Sequence, residues 1–151
     1  MKKTILITGG AGFIGSHLTH AYHYNGHKVV VLDNLRTGSR KNIHPKIRFY
    51  KADIRDKKQI EKIFLKERPD IVSHHAAISE VITSIRDPFL TFETNILGTV
   101  NLLISAGKTG VKKFIFASTG GTIYGDPKRI PVTEDVSKKP LSPYALSKLA
   151  A

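Results

Sequence analysis

A strand-forming run, Thr4-Ile5-Leu6-Ile7-Thr8, passes straight into Gly9-Gly10-Ala11-Gly12-Phe13-Ile14-Gly15 and then into a helical pattern. Glycines spaced G-x-x-G-x-x-G between a strand and a helix permit a sharp turn and a close approach of backbone to ligand. The helix brings its unpaired N–H groups and its dipole to the same point, where an anion such as a pyrophosphate is held. A glycine turn on its own serves structure as often as binding, so its surroundings decide. Apolar β-rich runs alternate with helical patterns along the rest of the chain, which predicts βα units and a parallel sheet covered on both faces. The expected fold is therefore α/β, a doubly wound parallel sheet of Rossmann type, and 151 residues suit one domain.

Strands are predicted near 3–8, 28–33, 47–51, 70–75 and 112–118. The first helix is expected from about Gly12 to Asn25, with Ile14, Leu18 and Ala21 on one face and Gly26 as its stop. A second spans about Asp56 to Glu67, with Asp56 as cap and Pro69 beyond the end, and a third runs from about Phe92 to Lys108. A last helix opens at Ser142-Pro143. The segments 34–46, 76–88 and 119–142 read as loops beyond the carboxyl ends of strands, where open α/β sheets bind ligands.

The second strand, Lys28-Val29-Val30-Val31-Leu32-Asp33, ends in an acid about 20 residues past the glycines. A carboxylate there can accept both ribose hydroxyls and repels a 2′-phosphate, so Asp33 favours NAD over NADP. Arg36 moderates that preference, and a strand-end Asp that merely caps a turn is the alternative.

The charge balance, 24 Lys and Arg against 12 Asp and Glu, raises the question of nucleic acid. The basic residues come as scattered pairs, Lys2-Lys3, Arg40-Lys41, Lys57-Lys58, Lys112-Lys113 and Lys138-Lys139, without interleaved aromatics, and read as a solvated surface. With no cysteine there is neither a disulfide framework nor a thiolate metal site. His17, His20, His23 and His27 fall at helical spacings but are expected at the surface, with no metal. His74 and His75 are expected to pack rather than catalyse. No stretch approaches the roughly 20 apolar residues of a membrane span. The apolar run after Lys3 reads as a strand, not a signal peptide, and the protein as cytoplasmic.

Several motifs now stand in order: the glycine turn, Asp33-Asn34-Leu35, Ala52-Asp53-Ile54-Arg55-Asp56, His74-His75-Ala76-Ala77, Asn95-x-x-Gly98-Thr99-x-Asn101 and Tyr144-x-x-x-Lys148. Together they resemble the extended short-chain dehydrogenase/reductases, and within them the UDP-galactose (UDP-glucose) 4-epimerases, over the whole chain. The resemblance implies NAD as cofactor, with Gly9, Gly12, Phe13, Ile14, Gly15, Asp33, Asn34, Asp53, Ile54, Ala76, Ala77, Asn95, Tyr144 and Lys148 around it. It sets Asp53 and Ile54 by the adenine, Ala76-Ala77 along the cofactor, and Asn95 toward the nicotinamide half. Read without the family, Asp53 and Asp56 could be turn and cap residues and Ala76-Ala77 tight packing.

Tyr144 and Lys148 lie four apart and share a helix face. A tyrosine with an ordinary pKa near 10 is a poor base, and a neighbouring ammonium favours its phenolate. The resemblance implies that this pair removes the proton from the sugar C4 hydroxyl during transient C4 oxidation. A hydroxyl is also expected, and here the chain departs from the family: Gly120 stands where many members carry the catalytic serine, so Thr119, with Ser118 or Thr122 behind it, or a water, must substitute. The lack of an acid after Thr119 argues against a sugar dehydratase.

The expected substrate is a UDP-hexose. The resemblance also implies further strands and a substrate domain beyond Ala151, so that the chain is expected to be incomplete: a fragment, a truncated product or one half of a split enzyme. The helix of Tyr144 is expected to fray, and the chain to form a homo-oligomer or to dock with a C-terminal half through the strand near 112–118. The alternatives are another nucleotide-sugar enzyme of the superfamily, a dehydratase or decarboxylase, or a non-catalytic NAD-binding module.

Overall fold

A computed structural model describes residues 1–151. The chain divides into two compact units, Met1–Ala76 with Val100–Ala117, and Ala77–Thr99 with Ser118–Ala151.

The first unit is built on five strands, β1 (Thr4–Thr8), β2 (Lys28–Asp33), β3 (Arg48–Lys51), β4 (Ile71–His74) and β5 (Lys113–Phe116). They form one all-parallel sheet in the order β3-β2-β1-β4-β5. Successive side chains of a strand point to opposite faces, so the β-branched runs feed two cores. Leu6, Val30, Leu32 and Val72 meet Ile60, Ile63 and Phe64 of α2 (Lys57–Glu67) and Leu102 and Ala106 of α5 (Gly98–Thr109). Ile5, Ile7, Val29 and Val31 meet Leu18 and Tyr22 of α1 (Phe13–Tyr24) and Ile43 and Ile47 of the β2–β3 connection. Both faces are covered, and the fold is the doubly wound Rossmann type expected.

The face of α1 differs from the expectation. Ile14 is 61% exposed and Ala21 is also exposed, whereas Gly15, Ser16 and Thr19 are buried. Small residues face the sheet because the glycine turn holds the helix start against β1. In α2 the apolar spacing of Ile60, Ile63 and Phe64 is completed by Glu67, whose side chain is wholly buried. Arg48 Nη1 at 2.7 Å and the Tyr50 hydroxyl at 2.6 Å donate to its Oε1, and Lys28 Nζ forms an ion pair with Oε2 at 3.0 Å. Against the opposing cost of burial, these partners hold its carboxyl down at about 2, joining α2 to β2 and β3 as an ion.

In the second unit the expected loop 76–88 contains a helix, α3 (Val81–Arg86). The third helix begins earlier than expected: α4 (Pro88–Phe92) runs into a π-helical turn, Glu93–Leu97, which continues into α5. Asp87 caps this start by accepting the Leu90 N–H at 2.9 Å, with proline in the first turn. The run Pro88–Thr109 is long and apolar enough, by length and composition, to cross a membrane, which corrects the reading that no stretch approaches this.

Two strands end earlier than predicted, β4 at His74 and β5 at Phe116. Short 3₁₀ turns at Arg40–Asn42 and Thr122–Tyr124 interrupt the other two predicted loops. Finally α6 (Pro143–Ala150) opens at Ser142, whose hydroxyl accepts the Ala145 N–H at 3.1 Å. It packs against α3, α4, the π turn and the second 3₁₀ turn, with Ala145 and Ser147 fully buried. The expectation of a frayed helix is thus corrected: tertiary packing supplies what a helix of eight residues lacks in isolation.

Candidate cofactor and catalytic sites

In the first unit the glycine turn is set between β1, β2 and β4. The Gly9 N–H donates to Leu32 O at 2.9 Å and the Gly12 N–H to Gly9 O at 3.1 Å. Gly9 has φ +66°, and a Cβ there would lie 2.6 Å from the Ala76 nitrogen, so turn conformation and close approach both demand glycine. Gly12 is different. Its φ is −79°, and a Cβ would meet only Gly9 O, at 3.3 Å. The missing side chain there relieves the chain little and leaves the helix start open.

That start has no side-chain cap and no acid in its first turn. The N–H groups of Phe13, Ile14 and Gly15 lack intrahelical partners by geometry, and Phe13 and Ile14 hold their side chains in solvent. An open, uncapped N-terminus behind a glycine turn fits a pyrophosphate.

Asp33 is buried beside it. One carboxylate oxygen accepts the Ala11 N–H at 2.9 Å and the other the Leu35 N–H at 2.8 Å. Each oxygen keeps capacity for a further donor such as a ribose hydroxyl. Asn34 reaches from the same loop to Asp53, donating from Nδ2 at 3.1 Å. Arg55 grips Asp53 through Nε at 3.0 Å, Nη2 at 2.9 Å and its own N–H at 2.9 Å, which holds that carboxyl down at about 2. Ile54 lies in the core, and its carbonyl accepts from Asn101 Nδ2 at 3.0 Å, so its backbone is what it can offer a ligand. Arg36 is exposed.

The Thr8 hydroxyl, which sequence reading passed over, accepts the N–H groups of His75 and Ala76, each at 3.2 Å, and lies 2.6 Å from His74 Nδ1. It fixes the turn after β4 against the end of β1. His74 itself is buried between Thr8 and the rings of Phe114 and Phe116, as packing requires. A polar residue ending an apolar strand was the available signal for Thr8.

The second unit carries Tyr144 and Lys148 on α6. Lys148 is 6% exposed, and burial pulls its ammonium down to about 8. Tyr144, one turn earlier, is half-buried. Asn95 is buried among the same elements: Oδ1 accepts the Ile78 N–H at 2.8 Å, while Nδ2 donates to Ile78 O at 3.0 Å and to the Ser147 hydroxyl at 2.8 Å. It braces the helix between Tyr144 and Lys148 against the segment that follows Ala77. The Ser147 hydroxyl donates in turn to Tyr144 O at 2.7 Å. Thr119 is half-buried and accepts from the Thr122 hydroxyl at 3.0 Å, which leaves its own proton to donate outward. Ser118 and Gly120 are exposed.

No group of three or more His, Cys, Asp or Glu is placed to hold a metal ion. The five basic pairs all lie exposed.

Residues 5–151 match the model of a family described as the NAD dependent epimerase/dehydratase family. A UDP-glucose 4-epimerase from Lacticaseibacillus casei is 45% identical over 147 residues, which are 97% of this chain and 44% of that protein. The crystal structure of Thermus thermophilus UDP-glucose 4-epimerase in complex with NAD superposes with a TM-score of 0.94 at 48% identity, covering 97% of this chain and 48% of that one. For Thermotoga maritima UDP-glucose 4-epimerase with UDP-glucose the TM-score is 0.96 at 45% identity, covering 97% and 48%. The chain thus spans about half the length of these relatives. The match across nearly all of its residues, joined to a glycine turn and a Tyr-x-x-x-Lys helix formed as described, makes this chain a member of the NAD dependent epimerase/dehydratase family.

Proposed function

We propose that the chain is the NAD-binding part of a UDP-hexose 4-epimerase, interconverting UDP-glucose and UDP-galactose. The observation that carries the chemistry is a buried Lys148 one helical turn from a half-buried Tyr144. An ammonium held out of water stabilises a nearby phenolate more strongly than a solvated one does. Tyr144 is then the group that takes the proton of the sugar C4 hydroxyl, with the Lys148 ammonium one turn along the same helix face. Thr119, with Ser118 and Thr122 behind it, is the hydroxyl that steadies the reacting oxygen in place of the family's serine.

Bound NAD supplies the hydride acceptor for C4 and the hydride that returns to the other face, so the reaction has no net redox change. The residues held for it are those around the glycine turn. The helix start at Phe13–Gly15 would hold the pyrophosphate, Asp33 the ribose hydroxyls, and Asn34, Asp53 and the backbone of Ile54 the adenine end. Ala76 closes on Gly9 beside the glycine turn, and in the second unit Asn95 braces the helix that carries Tyr144 and Lys148.

Relatives bind UDP-glucose and NAD, and a UDP-hexose is the substrate proposed here. β5 pairs only with β4 and forms a sheet edge. Such edges recruit other strands, which supports association of copies or of a C-terminal half through this strand. The reading is of a cytoplasmic protein, with Leu102 and Ala106 of the long apolar run committed to the core.

A coupled assay of UDP-galactose conversion, run on the purified chain with and without a C-terminal half supplied by a relative, tests the proposal. Formation of UDP-glucose in the completed enzyme is expected. Its absence there, with both halves folded, would contradict an epimerase.

A further inference from the structure

The segment between β2 and β3 reads as a plain loop in sequence, but in the first unit it works as a strap over the glycine turn. Ile43 and Ile47 bury its far end in the core, and Arg40 lies over the Phe49 ring at 5.0 Å. Its near end reaches back to Ala11. The Ser39 N–H donates to Ala11 O at 3.1 Å, and Asn42 Nδ2 donates to the same oxygen at 2.8 Å. Gly38 comes so close that a Cβ there would sit 2.8 Å from the Ala11 carbonyl carbon and oxygen.

Ala11 is fully buried, and its N–H is already held by Asp33. Both polar groups of this one residue are therefore fixed from outside the turn, the donor by β2 and the acceptor by the strap. The Ala11 carbonyl belongs to the peptide that leads into Gly12, and the direction of that peptide sets where the first N–H groups of α1 point. Asn42 is itself held, since its carbonyl accepts from His20 Nε2 of α1 at 3.0 Å.

We propose that Asn42 is a positioning residue for pyrophosphate binding. By clamping the Ala11 carbonyl it aims the α1 N-terminal N–H groups at the phosphate oxygens. Asn42 touches no part of the cofactor in this account, and acts through Ala11. Anion binding by a helix start depends on several N–H groups converging together, so a tilt of the leading peptide weakens all of them at once. The proposal rests on the NAD reading of the glycine turn.

The test compares two ligands. ADP-ribose carries the pyrophosphate, whereas adenosine meets only Asp33, Asn34, Asp53 and their loops. Dissociation constants for both are measured by NMR titration on the unsubstituted protein, on Asn42→Ala and on Asn42→Asp. The aspartate keeps the size and replaces the donor by a carboxylate facing a carbonyl. Such a bond contributes about 1 kcal/mol to the fold, and it changes affinity only through the orientation it gives the N–H groups, for which a loss of about tenfold is expected because several of them tilt together. ADP-ribose should weaken about tenfold in Asn42→Ala and further in Asn42→Asp, with adenosine changed less than about twofold and the thermal midpoint lowered by only a few degrees. Equal weakening of both ligands, or unchanged ADP-ribose binding, overturns the clamp while leaving the NAD reading in place. No ADP-ribose binding by the unsubstituted protein overturns that reading, and the clamp with it.

Discussion

Tyr144→Phe is expected to lower turnover of the completed enzyme by about a thousandfold, within the range seen when a positioned acid–base group is removed. NAD affinity should change little, because the ring stays and only the phenolic oxygen is lost. The fold should survive as well, since α6 is held by buried Ala145 and Ser147 and by the Asn95 brace rather than by the Tyr144 hydroxyl. Thr119→Ala should cost only about tenfold, because Thr122 stands 3.0 Å behind it and Ser118 is exposed beside it. Steady-state kinetics with UDP-galactose checks both. Near-normal turnover in Tyr144→Phe would remove Tyr144 from the chemistry.

Lys148→Met should separate stability from function. Burial holds the Lys148 ammonium at about 8 instead of 10.5, so the folded state bears a cost for keeping it charged. That cost is on the order of 3 kcal/mol at neutral pH. The sign follows from proton binding. Between pH 8 and 10.5 the unfolded chain holds this proton more tightly than the folded one, so the cost is full below pH 8 and fades as pH rises toward 10.5. An uncharged side chain of similar length avoids it. Lys148→Met is expected to raise the thermal midpoint by about 5 °C at pH 7, with the gain shrinking at pH 10, while turnover falls by orders of magnitude. Thermal unfolding at the two pH values, with activity measured alongside, is the check. A variant that is both less stable and fully active would show that Lys148 serves packing alone.

How much of this was legible in the chain depends on the distance over which each interaction acts. β2 was readable to both ends, because an apolar run that closes on an acid leaves no ambiguity about where the strand stops. α4 starts at Pro88, ahead of the Phe92 expected, and the Asp87-Pro88 pair is the local capping signal that marks this start. On α1 only Leu18 of the expected apolar stripe packs on the sheet, beside Tyr22, because Gly15, Ser16 and Thr19 fill the rest of that face, and periodicity of large apolar residues is blind to such positions.

The site divides in the same way. The glycine turn, Asp33 and the Tyr144–Lys148 pair announce themselves by local spacing. Asn42 and Ala11 lie 31 residues apart, and Asn95 and Ser147 lie 52 apart. Nothing in residue type or spacing links such pairs, since the fold alone brings them together. Glu67 is intermediate: a charged residue filling the fourth apolar position of an otherwise regular helix stripe invites a search for cationic partners, and Lys28 and Arg48 supply them from neighbouring strands.

Asp33 and the glycine turn together make the first unit the proposed site for NAD. Calorimetric titration of the protein with NAD and, separately, with NADP tests it most directly. Asp33 stands with both oxygens already fixed by backbone donors, so it cannot swing aside for a 2′-phosphate. A like-charge clash there predicts NAD binding with at least about tenfold preference over NADP. Equal or tighter binding of NADP would show that Arg36 or a neighbouring lysine rules the site, and would contradict the account.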